Sequence, residues 1–473
     1  MRNIFNKLFI VFLLSLDVII VEGKVILPSI IDNNMILQQK SKVLLWGKSE
    51  PNEKIIIYCS WNNDMVMACS NQNGEWSAKV LTPKAGGPYE ISFIDKDTVK
   101  INNILIGDVW LCSGQSNMEM PMKGFNSQPI VNSIDIIANS NSKIPIRMFS
   151  VKKEASKKMI EDVKGKWCMN TPKAVSEFSA VGYSFGKQLY NTLGIPIGLI
   201  NTSWGGANIE SWMPEEILKL YPNINFDHLK NDDIVKVPQH AASMLYNSML
   251  YPLRKISISG VIWYQGEANC LRNEQYEKLF PEFVKELRLL FNNESMPFYY
   301  VQIAPFSYFY NKEQLCGVLM RESQQKCESI IPNSKMVVIT DLGEEFCIHP
   351  SEKIKVGNRL AYIALADKYN IEGINAESPK YKNKIIKDNK IILTFEHADN
   401  GLTSFNKELN NFEICGKDKV FYKAKAKIKN NTVVVWSEKI SDPHGVRYAF
   451  KNFVIGDLFG TNGLPVSSFR TDF

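Results

Sequence analysis

One serine stands where a reactive hydroxyl would be presented. The strand-like segment GDVWLC at residues 107–112, which is apolar from Val109 on, runs directly into SGQSNM at residues 113–118, and this places Ser116 in a glycine-containing turn. A strand-to-helix turn of this kind exposes a hydroxyl at the edge of a sheet and leaves the following backbone N–H groups free to bind an oxyanion. Serine is also a common helix cap, so this segment alone leaves a catalytic and a structural interpretation open.

A histidine that can act as the base for this serine lies more than two hundred residues later. Of the five histidines, only His349 sits in a short loop between an apolar run and a helical pattern. A single histidine is more often a surface residue than a catalyst. With Ser116 it nevertheless gives the pairing of nucleophile and base that acyl transfer needs.

A second segment, NTSWGGANIESW at residues 201–212, combines paired glycines with two tryptophans. Gly205 and Gly206 allow the backbone to approach a ligand closely. Trp204 and Trp212 offer flat apolar faces, which either stack on a sugar or fill a domain interface. The sequence alone leaves both interpretations open.

A third segment, VIWYQGEAN at residues 261–269, is an apolar run that ends in polar and small residues. Gln265 and Asn269 can each donate an amide N–H to a developing oxyanion. Glu267 is better suited to orienting its neighbours than to acting as the base. An ordinary polar strand exit is the alternative.

These segments follow the strands of a predicted α/β domain. Near-continuous apolar runs that alternate with helical patterns are typical of a parallel sheet covered by helices on both faces. Doubly wound sheets gather their reactive groups at the carboxyl ends of the strands. The predicted strands cover residues 103–112, 195–201, 260–264, 297–303 and 335–340, and the helical patterns cover 179–193, 274–291 and 350–368.

The length of 473 residues predicts more than one domain. Short strand patterns with turn signals flank the α/β region on both sides. The predicted units are a signal peptide (1–23), an N-terminal β module (24–100), a catalytic domain (101–370) and a C-terminal β module (371–473). The net charge of +6 comes from interspersed charges, which gives no indication of a nucleic-acid partner.

The N-terminus has the order of a secretory signal peptide: a basic start, an apolar run over residues 8–20 and small residues at positions 21 and 23. The mature protein is therefore expected to begin near Lys24 and to be secreted, periplasmic or lysosomal, without stable membrane insertion. The nine cysteines form no metal-binding pattern. Export permits disulfides, and Cys59 with Cys69 and Cys316 with Cys327 are candidate pairs.

Together the segments resemble the sialate O-acetylesterase family of the SGNH-hydrolase superfamily. The resemblance also includes MILQ (35–38), LWG (45–47), GVRYAF (445–450), GLP (463–465) and FRTD (469–472). It implies an α/β fold with a doubly wound, mostly parallel five-stranded SGNH (flavodoxin-like) sheet and flanking all-β modules. It also implies removal of acetyl groups from O-acetylated sugars without a metal or organic cofactor.

The resemblance assigns roles to particular residues. It implies Ser116 as nucleophile and His349 as general base. The implied oxyanion donors are the backbone of Ser116, one glycine of the 205–206 pair, and an amide for which Gln265 and Asn269 both remain candidates. The candidates for substrate binding are Trp204, Trp212, Trp263 and Glu267.

The chain departs from the family pattern next to the base. An aspartate usually stands two or three residues before the histidine, where this chain has Cys347 and Phe346. The candidates for a third member on the same loop are Glu345, Glu344 and Asp341; a backbone carbonyl is another. Because loss of the third member can cost several powers of ten in rate, a carbohydrate-binding protein on a disabled esterase fold stays an alternative. Within the hydrolases, an acetylxylan or other polysaccharide O-acetylesterase is the alternative.

Overall fold

The structure, a computed structural model, describes residues 24–62, 65–231, 233–308 and 315–471. The signal peptide predicted over residues 1–23 lies outside the described residues, so its cleavage stays a prediction. Within the described ranges, no helix has both the length and the apolarity needed to cross a membrane.

The strands of the described residues are β1 (Ile36–Gln38), β2 (Lys42–Lys48), β3 (Lys54–Cys59), β4 (Met65–Cys69), β5 (Glu75–Leu81), β6 (Gly86–Ile94), β7 (Thr98–Gly114), β8 (Ile146–Ser150), β9 (Trp167–Met169), β10 (Ile197–Ser203), β11 (Gly260–Tyr264), β12 (Phe298–Val301), β13 (Ser334–Val337), β14 (Lys380–Lys387), β15 (Lys390–Glu396), β16 (Leu402–Thr403), β17 (Phe412–Cys415), β18 (Phe421–Lys423), β19 (Lys425–Lys429), β20 (Thr432–Trp436), β21 (Gly445–Tyr448), β22 (Phe459–Gly460) and β23 (Phe469–Arg470). The α-helices are α1 (Ser116–Glu119), α2 (Ser133–Ala138), α3 (Pro172–Glu177), α4 (Ala180–Leu193), α5 (Glu215–Leu218), α6 (Asp227–Lys230), α7 (Asn273–Leu290), α8 (Cys316–Ile330) and α9 (Lys353–Asp367). Shorter 3₁₀ or π turns lie at Ile209–Trp212, Pro238–His240, Tyr246–Leu250, Tyr251–Leu253 and Glu267–Arg272.

The central sheet has the strand order β13-β12-β11-β7-β10-β8-β9. Each neighbouring pair is parallel except β8 with β9. The five predicted strands correspond to β7, β10, β11, β12 and β13. The sheet is therefore wider than the predicted five strands, because β8 and β9 extend it at one edge. These two strands are short, and β8 contains a buried arginine, Arg147, so neither gives a continuous apolar run.

Successive residues of the central strands enter two different cores. Trp110 of β7 and Ile262 of β11 pack in the core with α4 and α9, whereas Leu111 and Val261 pack in the core with α7 and part of α8. Side chains alternate between the faces of a strand, so helices on both faces bury nearly every position of the central strands. This is the physical reason for the near-continuous apolar runs in the sequence.

The flanking sheets are all-β. β7 extends beyond the central sheet and pairs with β6, which in turn pairs with β3. The strands β1, β3, β4 and β6 are therefore continuous with the central sheet, whereas β2 and β5 form a separate pair. At the other end, the sheets β14-β15-β20-β19 and β18-β17-β21-β23 share one apolar core. The domain boundaries themselves stay predictions.

Neither candidate cysteine pair is adjacent in space. Cys69 lies opposite Lys54 at the start of β3, whereas Cys59 is the last residue of that strand, which separates them by about 17 Å. Cys316 and Cys327 both belong to α8 and are separated by about 16 Å along it. A disulfide requires Cα atoms within about 7 Å, so both predicted pairings are wrong.

Candidate active site

The carboxyl ends of three strands meet at one level of the central sheet. Gly114, the last residue of β7, lies between Ser203 of β10 and Tyr264 of β11. Gly114 has φ +140°, and a Cβ placed on it would lie 2.1 Å from the carbonyl oxygen of Tyr264. Only glycine fits there, so the chain turns sharply and starts α1 at Ser116.

Ser116 is the accessible residue of this turn. Residues 111–115 and residues 117–118 are buried, whereas Ser116 is partly exposed. As the first residue of α1, it has a backbone N–H without a partner inside its own helix. The turn therefore presents a hydroxyl and an amide donor to the same space.

The predicted nucleophile and base meet. The Nε2 atom of His349 lies 2.8 Å from the Oγ atom of Ser116. On the other side of the ring, Nδ1 lies 2.8 Å from the Oε1 atom of Gln128. An amide oxygen only accepts hydrogen bonds. Because the amide oxygen of Gln128 faces Nδ1, this nitrogen carries the ring proton, and Nε2 accepts a hydrogen bond from the Ser116 hydroxyl. The ring of Phe125 packs edge-on against His349, with centroids 5.3 Å apart.

The third position is occupied by Gln128, which corrects the expectation of a carboxylate from the His349 loop. Asp341 is engaged by both guanidinium nitrogens of Arg359, at 2.6 and 2.7 Å. Glu344 accepts the backbone N–H of Ser351 at 2.7 Å. Glu345 is exposed, and the hydrogen bonds of the His349 ring among the described residues go to Gln128 and Ser116.

Gln128 comes from a different part of the chain, the loop between α1 and α2, 221 residues from His349. Sequence reasoning missed it because an uncharged amide in a surface turn carries no catalytic signal. The only local sign is a tight turn in which Phe125 and Gln128 exchange backbone hydrogen bonds.

The environment of His349 keeps its imidazole neutral. Burial, and secondarily the nearby Lys353 ammonium, lower the pKa of His349 from 6.5 to about 4. Both effects disfavour the charged ring. A neutral imidazole is the form that accepts a proton from serine.

The turn at Gly205 and Gly206, called the glycine turn below, lies beside Ser116. The backbone N–H of Gly205, one of the two candidate oxyanion donors in this turn, is already engaged. A Cβ placed on Gly205 would lie 3.4 Å from the Cβ of Ser116. The backbone N–H of Gly205 donates to the Oε2 atom of Glu119 at 2.5 Å. The other oxygen of Glu119 pairs with Lys153 at 2.6 Å.

Neither predicted amide donor points at the nucleophile, which corrects that expectation. Gln265 and Asn269 are buried, and the amide nitrogen of Gln265 donates to Ala207 and to Asn269 itself. The amide nitrogen of Asn269 donates to Glu210 at 2.9 Å. The chain turns inward at Gly266, which has φ +154°. Both amides therefore hold the segment that follows the glycine turn: Gln265 donates to the carbonyl of Ala207, and Asn269 accepts from the N–H of Ile209.

Most of the predicted substrate-binding residues are not accessible to a sugar. Trp212 and Trp263 are fully buried and pack edge-to-face, with centroids 6.3 Å apart. Glu267 is buried and accepts a hydrogen bond from Asn117. Trp204 alone is partly exposed, and the ammonium of Lys153 lies 5.8 Å from its ring. The expectation that Trp212 and Trp263 bind substrate is therefore wrong, because both are core residues.

A polar pocket of about 350 Å³ adjoins the glycine turn. Its wall begins next to Gly206, since a Cβ placed there would lie 3.6 Å from the Nε2 atom of His240. The guanidinium of Arg272 lies on the same pocket, 3.0 Å from Glu210 and 45% exposed. The sequence analysis singled out neither residue: His240 lies in a loop far from the strand ends along the chain, and Arg272 closes the short turn after β11 with no pattern that marks it.

The chain is similar to known carbohydrate esterases. Residues 106–366 match the family model described as carbohydrate esterase, sialic acid-specific acetylesterase. Human sialate O-acetylesterase is 30% identical over 387 residues, which cover 74% of this chain and 72% of the human protein. The mouse sialate O-acetylesterase is 28% identical over 410 residues, 74% of this chain and 75% of the mouse protein. The crystal structure of XAC1771, a carbohydrate acetylesterase from Xanthomonas citri, superposes with a TM-score of 0.86 at 30% identity, over 95% of this chain and 100% of that one.

Proposed function

This chain belongs to the carbohydrate esterase family of sialic acid-specific acetylesterases and is a carboxylic ester hydrolase of O-acetylated sugars, and we propose that it removes O-acetyl groups from sialic acids through a Ser–His acyl-enzyme mechanism. The observation that carries the mechanism is the 2.8 Å contact between Ser116 Oγ and His349 Nε2. This is the reach expected of a nucleophile and its general base.

In the first half of the reaction, Ser116 Oγ bonds to the acetyl carbonyl carbon while His349 takes the hydroxyl proton. The imidazolium then gives that proton to the sugar oxygen as the ester C–O bond breaks, which leaves an acetyl-serine. In the second half, water attacks this ester and His349 takes the water proton. The proton returns to Ser116 Oγ as acetate leaves.

The tetrahedral intermediates carry an oxyanion that needs hydrogen-bond donors. The backbone N–H of Ser116 is the first. The N–H of Gly205 becomes a second when Glu119 releases it, because the oxyanion and the Glu119 carboxylate repel each other. Lys153, which already pairs with Glu119, can hold the displaced carboxylate.

The pocket next to Gly206 supports sialic acid as the sugar. Arg272 can donate paired hydrogen bonds to a carboxylate, and His240 and Asn208 line the same pocket with groups suited to hydroxyls. Glu210 fixes the position of the Arg272 guanidinium while part of it stays exposed. A xylan chain has no carboxylate on its backbone to use this cation.

The test compares acetate release from 9-O-acetylated sialic acid, acetylated xylan and 4-nitrophenyl acetate. We expect activity on the first and third that Ser116→Ala abolishes. Arg272→Met should raise KM for the sialic acid ester and leave 4-nitrophenyl acetate hydrolysis unchanged. Arg254→Met, which removes an arginine paired with Glu161 elsewhere, is the matched control. Equal rates for wild type and Ser116→Ala would end the serine mechanism, and a preference for xylan would overturn the sialic acid assignment.

We also propose that the protein is exported and acts as a secreted, periplasmic or lysosomal enzyme. The support is the signal-peptide pattern of residues 1–23. Mass spectrometry of the N-terminus of the exported protein should find Lys24 as the first residue or close to it. Retention of Met1 in a cytoplasmic fraction would contradict export.

A further inference from the structure

A buried amide lies directly beneath the Ser116–His349 pair. The Nδ2 atom of Asn117 donates to the Oε1 atom of Glu267 at 2.5 Å and to the carbonyl of Ile348 at 3.0 Å. Its Oδ1 atom accepts from the Nζ atom of Lys353 at 2.8 Å. Asn117, Glu267 and Lys353 are at most 8% exposed, and the mechanism above uses none of them.

These bonds connect the two chain segments that must meet for catalysis. Asn117 directly follows the nucleophile. Ile348 directly precedes the base, and the carbonyl of Pro350, the next residue after the base, accepts from Lys353 at 2.6 Å. The amide therefore connects the nucleophile turn directly to Ile348, and through Lys353 to Pro350. A shift of either segment would change the distance between Ser116 Oγ and His349 Nε2.

The two charged residues determine which way the amide faces. A carboxylate only accepts hydrogen bonds and an ammonium only donates them. With Glu267 on one side and Lys353 on the other, the nitrogen of Asn117 must face Glu267 and Ile348. A flipped amide would direct its NH₂ group at an ammonium and its oxygen at a carboxylate.

We propose that Lys353 and Glu267 are positioning residues, which lock the Asn117 amide so that it fixes Ser116 against His349. The inference rests on the proposed serine mechanism. Burying two charged groups is costly, and an apolar pair of similar volume is often at least as stable. One oxygen of Glu267 has no hydrogen-bond partner within the described residues, so stability alone is a poor reason for this arrangement.

Lys353 also acts on the base through its charge. The groups that face its ammonium are Glu267, Cys347, Glu344 and, at 6.0 Å, the ring of Tyr264. Burial lowers the pKa of Lys353 to about 7, against an opposing effect of Glu267. Since the Lys353 charge lowers the pKa of His349, loss of that charge should raise it. A purely structural lysine would leave the pH profile of the reaction unchanged.

The test uses Lys353→Met in the full chain with 4-nitrophenyl acetate, which requires no sugar pocket. Misplacement of the reacting groups should lower kcat roughly 10²-fold, with little change in KM. The acidic limb of the pH–rate profile should move to higher pH. The matched control is Lys384→Met, because Lys384 also donates to two backbone carbonyls, those of His444 and Thr471, far from the site.

Glu267→Gln provides a second variant if Lys353→Met does not fold. Glutamine keeps an acceptor for Asn117 and should retain more activity than Glu267→Ala at equal thermal stability. A folded Lys353→Met with wild-type kcat and an unshifted pH profile would overturn the inference, as would equal activity of the two Glu267 variants. If the wild type itself does not hydrolyse the ester, the proposed function has failed instead.

Discussion

The two sides of Ser116 differ in how ready they are for the reaction. On the base side, side chains 233 and 221 residues apart form a continuous chain from Ser116 through His349 to Gln128, with both bonds at 2.8 Å. On the donor side, the N–H of Gly205 is occupied by Glu119. Under the proposed mechanism, the base side is therefore complete before substrate arrives, whereas the donor side has to exchange the Glu119 carboxylate for the oxyanion.

The difference follows from what each side must avoid. A buried N–H without an acceptor is costly, and Glu119 supplies the acceptor at Gly205. The base side has no such need, because an imidazole can donate with one nitrogen and accept with the other.

Removal of His349 should abolish the function of the base side. His349→Ala is expected to lower kcat/KM by at least about 10³-fold, nearly as much as Ser116→Ala, because neither group works without the other. The double variant should be no worse than either single one. His444→Ala, which removes an exposed histidine beside Asp442, is the control. A loss below tenfold would remove His349 from its role.

Replacement of Gln128 should weaken the base side without destroying it. Gln128→Ala leaves the ring free to rotate, and we expect a loss of roughly 10- to 10²-fold in kcat, short of the larger effect of a lost triad carboxylate. Gln128→Glu should raise the pKa of His349, because an ionised carboxylate favours the imidazolium. The acidic limb of its pH–rate profile would then move upward, which stopped assays across pH would detect. Unchanged kcat in both variants would show that Gln128 does not orient the ring.

Weakening the contact of Glu119 should make the donor side easier to open. A neutral amide accepts about half as strongly as a carboxylate, so Glu119→Gln should release Gly205 more readily and raise kcat a few-fold, by roughly two to five. Pre-steady-state acylation rates would measure this step directly. A tenfold fall would mean that Glu119 is required for the turn and that the donor side does not open as proposed.

The pH dependence of the wild type tests the neutral state of the base. Because burial lowers the pKa of His349 to about 4, the imidazole accepts protons above that pH and is lost as base only below it. kcat/KM should hold its value from neutral pH down to about 5 and fall to half near 4. A half-point near 6.5, the ordinary histidine value, would show that the ring is solvated and charged more easily than its burial indicates.

The sequence predicted the framework of the site well and its inner details poorly. Apolar runs predicted β7, β10, β11, β12 and β13, because a strand that is buried on both faces has a continuous run of apolar residues. Ser116 was singled out for the same reason, because it lies just after the end of β7. Short strands such as β8, which contains Arg147, have no continuous apolar run and were not predicted.

Side-chain direction at the strand exits could not be predicted. Gln265 and Asn269 follow β11 in a pattern that suits an oxyanion donor, yet the turn at Gly266 directs them inward. Trp263 alternates into the core with its strand. Composition shows that an amide or an indole is present, but the path of the turn decides whether substrate can reach it.

By itself, the sequence determined the α/β class and the positions of the central strands, and it singled out Ser116 and His349 as candidates for a nucleophile and its base. These features depend on local apolar patterns and on residue types next to strand ends. Only the tertiary structure decided the partner of His349, the orientation of Asn117 between Glu267 and Lys353, and the occupation of Gly205 by Glu119. Each of these joins residues far apart in the chain, and packing alone sets which polar groups lie within hydrogen-bond distance.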